Sequence, residues 1–263
     1  MSPLAPSPCL SGKVAIITGA GRVRGIGAAI ATLLAHHGAS VAVNYNSAST
    51  AKSAAEVAAR ITAESGDGKV VVVQADISTP AGAQKVIDET VAKFGRIDIL
   101  VNNAVAGTFG PGLEASPESI QQAFGVNTFG PLYLLQAAVK HMPPRSRVIN
   151  IGSPGTKLGL SDSPVYYASK AAMDSLMFTL AYELGRNHGG ITINTVSPGA
   201  VDTGAYSAEK LAELTKSFLA ITKVEERVGR VEDIADAVLL LCDERSRWIT
   251  GQVISVSGGI VGG

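Results

Sequence analysis

A single α/β domain, with seven parallel strands wound by helices on both faces, is the fold class this sequence predicts. Three observations predict it. Short β-branched runs alternate with longer alanine-rich helical patterns along the chain, as in a parallel sheet covered on both sides. The first run opens onto a glycine-rich turn followed by a helix, as in a βα unit that binds a dinucleotide. Beyond the opening residues, no linker, repeat or low-complexity stretch breaks the alternation.

The elements follow in order. Residues 1–11 hold Pro3, Pro6 and Pro8 and are expected to form a flexible arm; they lack the basic and apolar regions of a secretory signal. From residue 12 to 263 the chain reads as one domain. Runs rich in Val, Ile, Ala and Thr predict strands at 14–18, 40–45, 70–74, 97–101, 147–151, 192–196 and 253–256. Alanine-rich helical patterns predict helices at 26–36, 50–64, 80–94, 117–141, 166–186 and 231–241. Residues 202–226 are too long for an ordinary connection and carry a helical pattern at 208–219. They read either as a substrate lid or as an extra surface helix.

Composition bounds the function. The 263 residues are 46% hydrophobic and 17% charged, enough apolar material for one large core. Twenty-two basic residues balance twenty-two acidic ones, and no Lys/Arg run offers nucleic acid a footprint. The longest apolar stretches fall short of a membrane span, so a cytoplasmic protein is expected. The two cysteines, Cys9 and Cys242, make no disulfide framework, and the four histidines have no zinc-like spacing, so no metal is expected.

The turn Gly19-Ala20-Gly21-Arg22-Val23-Arg24-Gly25-Ile26-Gly27 lets the backbone approach a pyrophosphate, which the amino end of the next helix then meets with free N–H groups. At the second strand's end stand Asn44, Tyr45, Asn46 and Ser47, where a carboxylate would bond the ribose 2′-hydroxyl of NAD. No acid there repels a 2′-phosphate, and Arg22 and Arg24 can supply positive charge, so the expected cofactor is NADP(H). Both arginines read equally as solvent-facing charges.

Further along, Ser153 ends the fifth strand, and Tyr166 and Lys170 stand one helical turn apart on one face. Such a trio can hold a carbonyl oxygen and protonate it. A phenol with a pKa near 10 needs tuning for this work, and an ammonium one turn away favours the phenolate. Tyr167 is only three residues from Lys170, so the spacing selects Tyr166.

These pieces, with Asp76-Ile77, Asn102-Asn103-Ala104, Asn127 and Ser197-Pro198-Gly199, resemble the classical short-chain dehydrogenase/reductase family from about Gly12 to Gly259. The resemblance implies a Rossmann fold and a catalytic set of Asn127, Ser153, Tyr166 and Lys170, with Asn127 holding a water behind the lysine. On the residues alone, Asn127 could simply bond nearby backbone. It also implies that Asp76 and Ile77 flank the adenine, although Asp76 reads equally as a helix cap. Asn103 and Ala104 are implied to line the groove. Tyr166 and Lys170 are implied to hold the ribose, and Pro198, Gly199, Val201 and Thr203 the nicotinamide carboxamide. The chain departs from the family pattern twice: five residues rather than three separate Gly19 from Gly25, and Val105 stands where glycine is usual.

The expected activity is NADPH-dependent reduction of a cyclic, aromatic or polyketide-like ketone. Alternatives are a 3-oxoacyl-carrier-protein reductase, or a related fold turned to cyclisation, dehydration or epimerisation. A non-catalytic dinucleotide sensor has no need of Ser153 with Tyr166 and Lys170. Pocket walls are expected from 105–113, 154–163 and 202–219, rich in Phe109, Leu113, Leu158, Leu160, Tyr206 and Phe218. By resemblance the chain assembles as a homotetramer, with a dimer next.

Overall fold

The computed structural model describes residues 9–262. Seven strands form one parallel sheet: β1 (Val14–Ile17), β2 (Ser40–Tyr45), β3 (Val70–Gln74), β4 (Ile99–Asn102), β5 (Arg147–Ile151), β6 (Thr192–Pro198) and β9 (Val253–Val256). They lie in the order β3-β2-β1-β4-β5-β6-β9. The order reverses between β1 and β4, and a crevice opens there beyond the strands' carboxyl ends.

Alternation along each strand feeds two cores. On one face Ala15, Ile17, Val41, Val43, Ile99, Val101, Ile149 and Ile151 pack under α1 (Ile26–His36), α2 (Ala51–Ser65) and α9 (Val231–Cys242). On the other, Ile16, Ala42, Leu100 and Val148 meet α3 (Pro80–Phe94), α5 (Gly130–Ala138) and α7 (Pro164–Asn187).

Most elements fall where the residues predict. The fourth strand starts at Ile99 rather than 97, because the buried Asp98 carboxylate accepts from the Val14 amide and from Arg96 and Lys13. The sixth runs on to Pro198, paired with Val256. The single helix expected over 117–141 is divided. It runs as α4 (Pro117–Phe124), a π-helical turn over Gly125–Phe129, α5, and a 3-10 turn over Val139–His141. The cause is local: Pro131 has no N–H to offer the Asn127 carbonyl, and the Gly130 amide donates instead to Gly125, five residues back. Short α6 (Gly155–Leu158) and the pair β7 (Val201–Asp202) with β8 (Gly229–Arg230) carried no sequence signal strong enough to predict. The helix expected at 208–219 is α8 (Ala208–Leu219).

The expected arm over 1–11 is only partly testable, since residues 1–8 lie outside the described residues. At its inner end Leu10 is 2% exposed and its amide donates to the His37 carbonyl, so burial of one leucine brings this part of the arm into the fold. Beside it Cys9 is exposed against His37, whereas Cys242 is buried. Among the described residues no helix is long and apolar enough to cross a membrane, and no three His, Cys, Asp or Glu side chains form a metal-binding group.

Candidate active site

The crevice at the sheet's carboxyl edge contains a groove of about 410 Å³. Gly19, Gly21, Gly25, Ile26 and Gly27 form its floor. Gly19 has φ +64°, and a Cβ there would sit 2.7 Å from Ala104 Cα. A Cβ on Gly27 would run into the Asn103 amide. Glycine is thus required where strand, turn and helix meet. The first helix has Gly25 as N-cap and no side-chain cap, so its leading N–H groups face the groove without a side-chain acceptor.

One wall carries Asn44, Tyr45, Asn46 and Ser47 with Arg22 and Thr50, and another carries Asp76, Ile77, Asn103 and Ala104. Several of these side chains already have structural work. Asn44 is 2% exposed, accepts from the Gly19 amide and donates to the Val73 and Ala75 carbonyls. Asn103 donates to the carbonyls of Thr18 and Gly19 and so buttresses the turn from behind. Asp76 Oδ1 accepts from the amide and hydroxyl of Ser78, while Thr79 caps the next helix through the Gly82 amide. Of the two sequence readings of Asp76, the cap role therefore goes to Thr79.

The structure separates two residues expected to act together. Arg22 lines the groove, but Arg24 does not: its guanidinium reaches outward to Asp202 at 3.3 Å. Of the carboxamide segment, Thr203 reaches the groove, while Val201 pairs with Gly229 and Pro198 with Val256. Gly199 borders a separate cavity of about 280 Å³ under Phe218 and Leu219.

The reacting trio is assembled at the end of β5. Ser153, 9% exposed, accepts the Gly155 amide at 3.3 Å, with the Tyr166 phenol nearby. Lys170 is buried and donates to the Ile151 carbonyl at 2.7 Å. Burial pulls its ammonium down to about 8, partly opposed by the Asp174 carboxylate one turn on, which is itself held by Thr195. Burial pushes the Tyr166 phenol up, partly offset by the nearby Ser153 hydroxyl. The expectation that Lys170 depresses this phenol is corrected here: the ammonium is directed at Ile151, and desolvation dominates both groups. Tyr167 is engaged elsewhere, donating to Asp162 at 3.1 Å, and is pushed up to about 12.

Asn127 sits in the π-helical turn with every side-chain atom occupied. Its amide donates to the Ala106 carbonyl and to Ser169 Oγ, and its oxygen accepts the Ala106 amide. Thr128 donates to the Ser169 carbonyl, so the turn is fastened to α7 beside Lys170. What Asn127 can still offer is its backbone carbonyl, the one Pro131 cannot reach. Sequence reasoning missed Ser169, Thr128 and Asp174; Ser169 lay in plain view between Tyr166 and Lys170. Val105 lines the groove and is exposed, and Phe109, Leu113 and Tyr206 from the expected wall segments are largely exposed apolar or aromatic side chains.

Residues 19–261 match the family model described as Enoyl-(Acyl carrier protein) reductase. The chain is 38% identical to the short-chain dehydrogenase/reductase FrzI of Cladobotryum sp, over 97% of this chain and 98% of that protein. It is 35% identical to versicolorin reductase 1 of Aspergillus parasiticus, over 95% and 97% respectively. Among solved structures, angucycline C-6 ketoreductase LanV with bound NADP is similar at a TM-score of 0.86 and 35% identity, covering 97% of this chain and 98% of that one.

Proposed function

The chain belongs to the short-chain dehydrogenase/reductase family, and from that premise we propose that it reduces a cyclic or aromatic, polyketide-type ketone to a secondary alcohol with NADPH. The observation that carries the reading is the gathering, at the end of β5, of Ser153, the buried phenol of Tyr166 and the buried amine of Lys170, which the Ile151 carbonyl fixes. An enoyl substrate, which the family model's description would suggest, gives the Ser153 and Tyr166 hydroxyls less to do.

The residues fit the dinucleotide. Uncapped N–H groups at the start of α1 suit a pyrophosphate, and the glycine floor leaves no room for a Cβ where it must approach. Arg22, Asn46, Ser47 and Thr50 line the place for a 2′-phosphate, with no carboxylate among them. Tyr45, Asp76, Ile77 and Ala104 wall the adenosine, and Thr203 borders the nicotinamide end. Bound NADPH supplies the hydride to the carbonyl carbon.

The chain's own residues handle the oxygen. Ser153 Oγ takes the Gly155 amide as an acceptor, which leaves its proton to donate to the carbonyl oxygen. Tyr166, held by burial as a neutral acid, delivers the proton that completes the alcohol. Lys170, fixed by the Ile151 carbonyl one turn from Tyr166, would hold the ribose hydroxyls of the bound cofactor. The Asn127 carbonyl, to which Pro131 cannot donate, holds a water behind the lysine, through which Tyr166 regains its proton.

Residues 12–263 act as one catalytic unit, with 202–226 as its lid. The exposed apolar or aromatic side chains of Val105, Phe109, Leu113 and Tyr206 suit a flat, weakly polar substrate. A cytoplasmic homotetramer is part of the same reading. It is supported by exposed Phe129, Phe178 and Tyr182 on the α5–α7 side, and by Leu240, Trp248 and Ile249 near the edge strand β9.

The test is NADPH oxidation over a panel of cyclic and aromatic ketones, with alcohol identified as product. Tyr166→Phe is expected to lower kcat by about a thousandfold while the NADPH dissociation constant stays within about twofold. A variant turning over at the wild-type rate overturns the mechanism. Turnover of only carrier-bound 3-oxoacyl groups favours the carrier-protein alternative.

A further inference from the structure

Two residues of the lengthened glycine turn, Val23 and Arg24, do not line the dinucleotide groove. Val23 leans on the core under α1, and its amide donates to Ser53 Oγ at 3.2 Å. Arg24 projects to the far bank, where Asp202 Oδ2 lies 3.3 Å from Nη2. Asp202 Oδ1 simultaneously accepts the Gly204 amide at 2.8 Å. Gly204 has φ +66°, and a Cβ there would lie 2.8 Å from Arg24 Nε and 3.0 Å from its Cδ and Cζ. The guanidinium therefore rests on Gly204, and the turn around Asp202 is shaped to receive it. Between Asp202 and Gly204 stands Thr203, the one residue of this bank that lines the groove.

We infer that the Val23-Arg24 pair of the lengthened turn is a strap: Val23 anchors it and Arg24 ties the glycine turn to the 202–204 segment, controlling how fast the dinucleotide leaves. The inference rests on the dinucleotide reading above and assigns Arg24 a positioning role apart from 2′-phosphate recognition. Geometry separates the two arginines, since Arg22 lines the inner groove and Arg24 an outer cavity of about 540 Å³ shared with Asp202 and Arg230. The pair is exposed, with side chains 71% and 43% accessible, so its contribution is modest and salt-sensitive. At a groove mouth a modest tie still acts directly on the opening rate. The strap also joins the cofactor end to the base of the 202–226 lid.

The experiment uses the full-length protein and two readouts. First, NADPH and NADH release are followed by stopped-flow fluorescence for Arg24→Ala, Asp202→Asn and the double variant. Each single change is expected to speed release of both cofactors about threefold to fivefold, with the double variant no faster than the singles. The wild-type advantage should shrink in high salt. Second, hydrogen exchange without cofactor should quicken in residues 201–206 of both single variants. Gly204→Ala, which pushes the guanidinium off its seat, should mimic Arg24→Ala in both readouts.

If Arg24→Ala weakens NADPH alone while Asp202→Asn is silent, Arg24 is a direct phosphate ligand and the strap is refuted. Unchanged exchange at 201–206 in both variants refutes it as well. Failure of the wild-type protein to bind either dinucleotide removes the functional reading instead, and the exchange measurement still decides whether the strap exists.

Discussion

A fully buried amine is costly to keep charged, and Lys170 has one carbonyl and a carboxylate a turn away to help it. Its pull from the ordinary 10.5 down to about 8 corresponds to on the order of 3 kcal/mol against the charged form. The unfolded chain keeps this amine protonated to higher pH than the native one, so folding releases a proton in between. Stability should therefore rise from about pH 8 to pH 10, in urea melts taken across that range. Lys170→Met should flatten that slope, and a slope unchanged in the variant contradicts the assignment. At this scale the sequence was partly legible. The spacing from Ser153 separates Tyr166 from Tyr167, and the structure buries the former near Ser153 while the latter donates to Asp162. The work of Asn44, Asn103 and Arg24 was not legible. It depends on which carbonyl, amide or carboxylate a distant segment presents, and composition at a strand end says nothing of that.

Helices whose ends are written in residue chemistry came out at their expected bounds. In α3 the signals are Thr79 as N-cap, Pro80 at the first turn and Gly95 in the left-handed conformation at the end. The stretch over 117–141 misled because its apolar rhythm continues through an interruption of the backbone. The signal was Pro131 following Gly130: proline's missing N–H denies the Asn127 carbonyl its ordinary helical donor where the π-helical turn forms. Pro131→Ala restores a donor for that carbonyl. It should leave the melting temperature equal or higher, yet lower kcat about fivefold to tenfold by occupying the relay position. Equal kcat in this variant would separate the interruption from the chemistry.

For the molecule as a whole, the alternation of runs revealed one parallel sheet, while the strand order and the two-sided core required the folded chain. Surface neighbours could not be read from the sequence either, because Phe178 of α7 comes against Gly251, on the approach to β9, only in the folded chain. Trp248, 95% exposed in the single chain, is the residue through which assembly is most simply tested. On the proposed tetramer, Trp248→Asp should leave the fold intact by circular dichroism and shift the mass in sedimentation from tetramer toward dimer. A variant sedimenting as the wild type does would place the contact elsewhere.

The two thiols offer a practical handle. Burial drives Cys242 far out of the reactive range, while Cys9 stands in the open beside His37, on the rim where the strands begin. A maleimide should then attach once per subunit, at the end farthest from the cleft, so that protein coupled to a solid support would present its reactive mouth to the flowing solution.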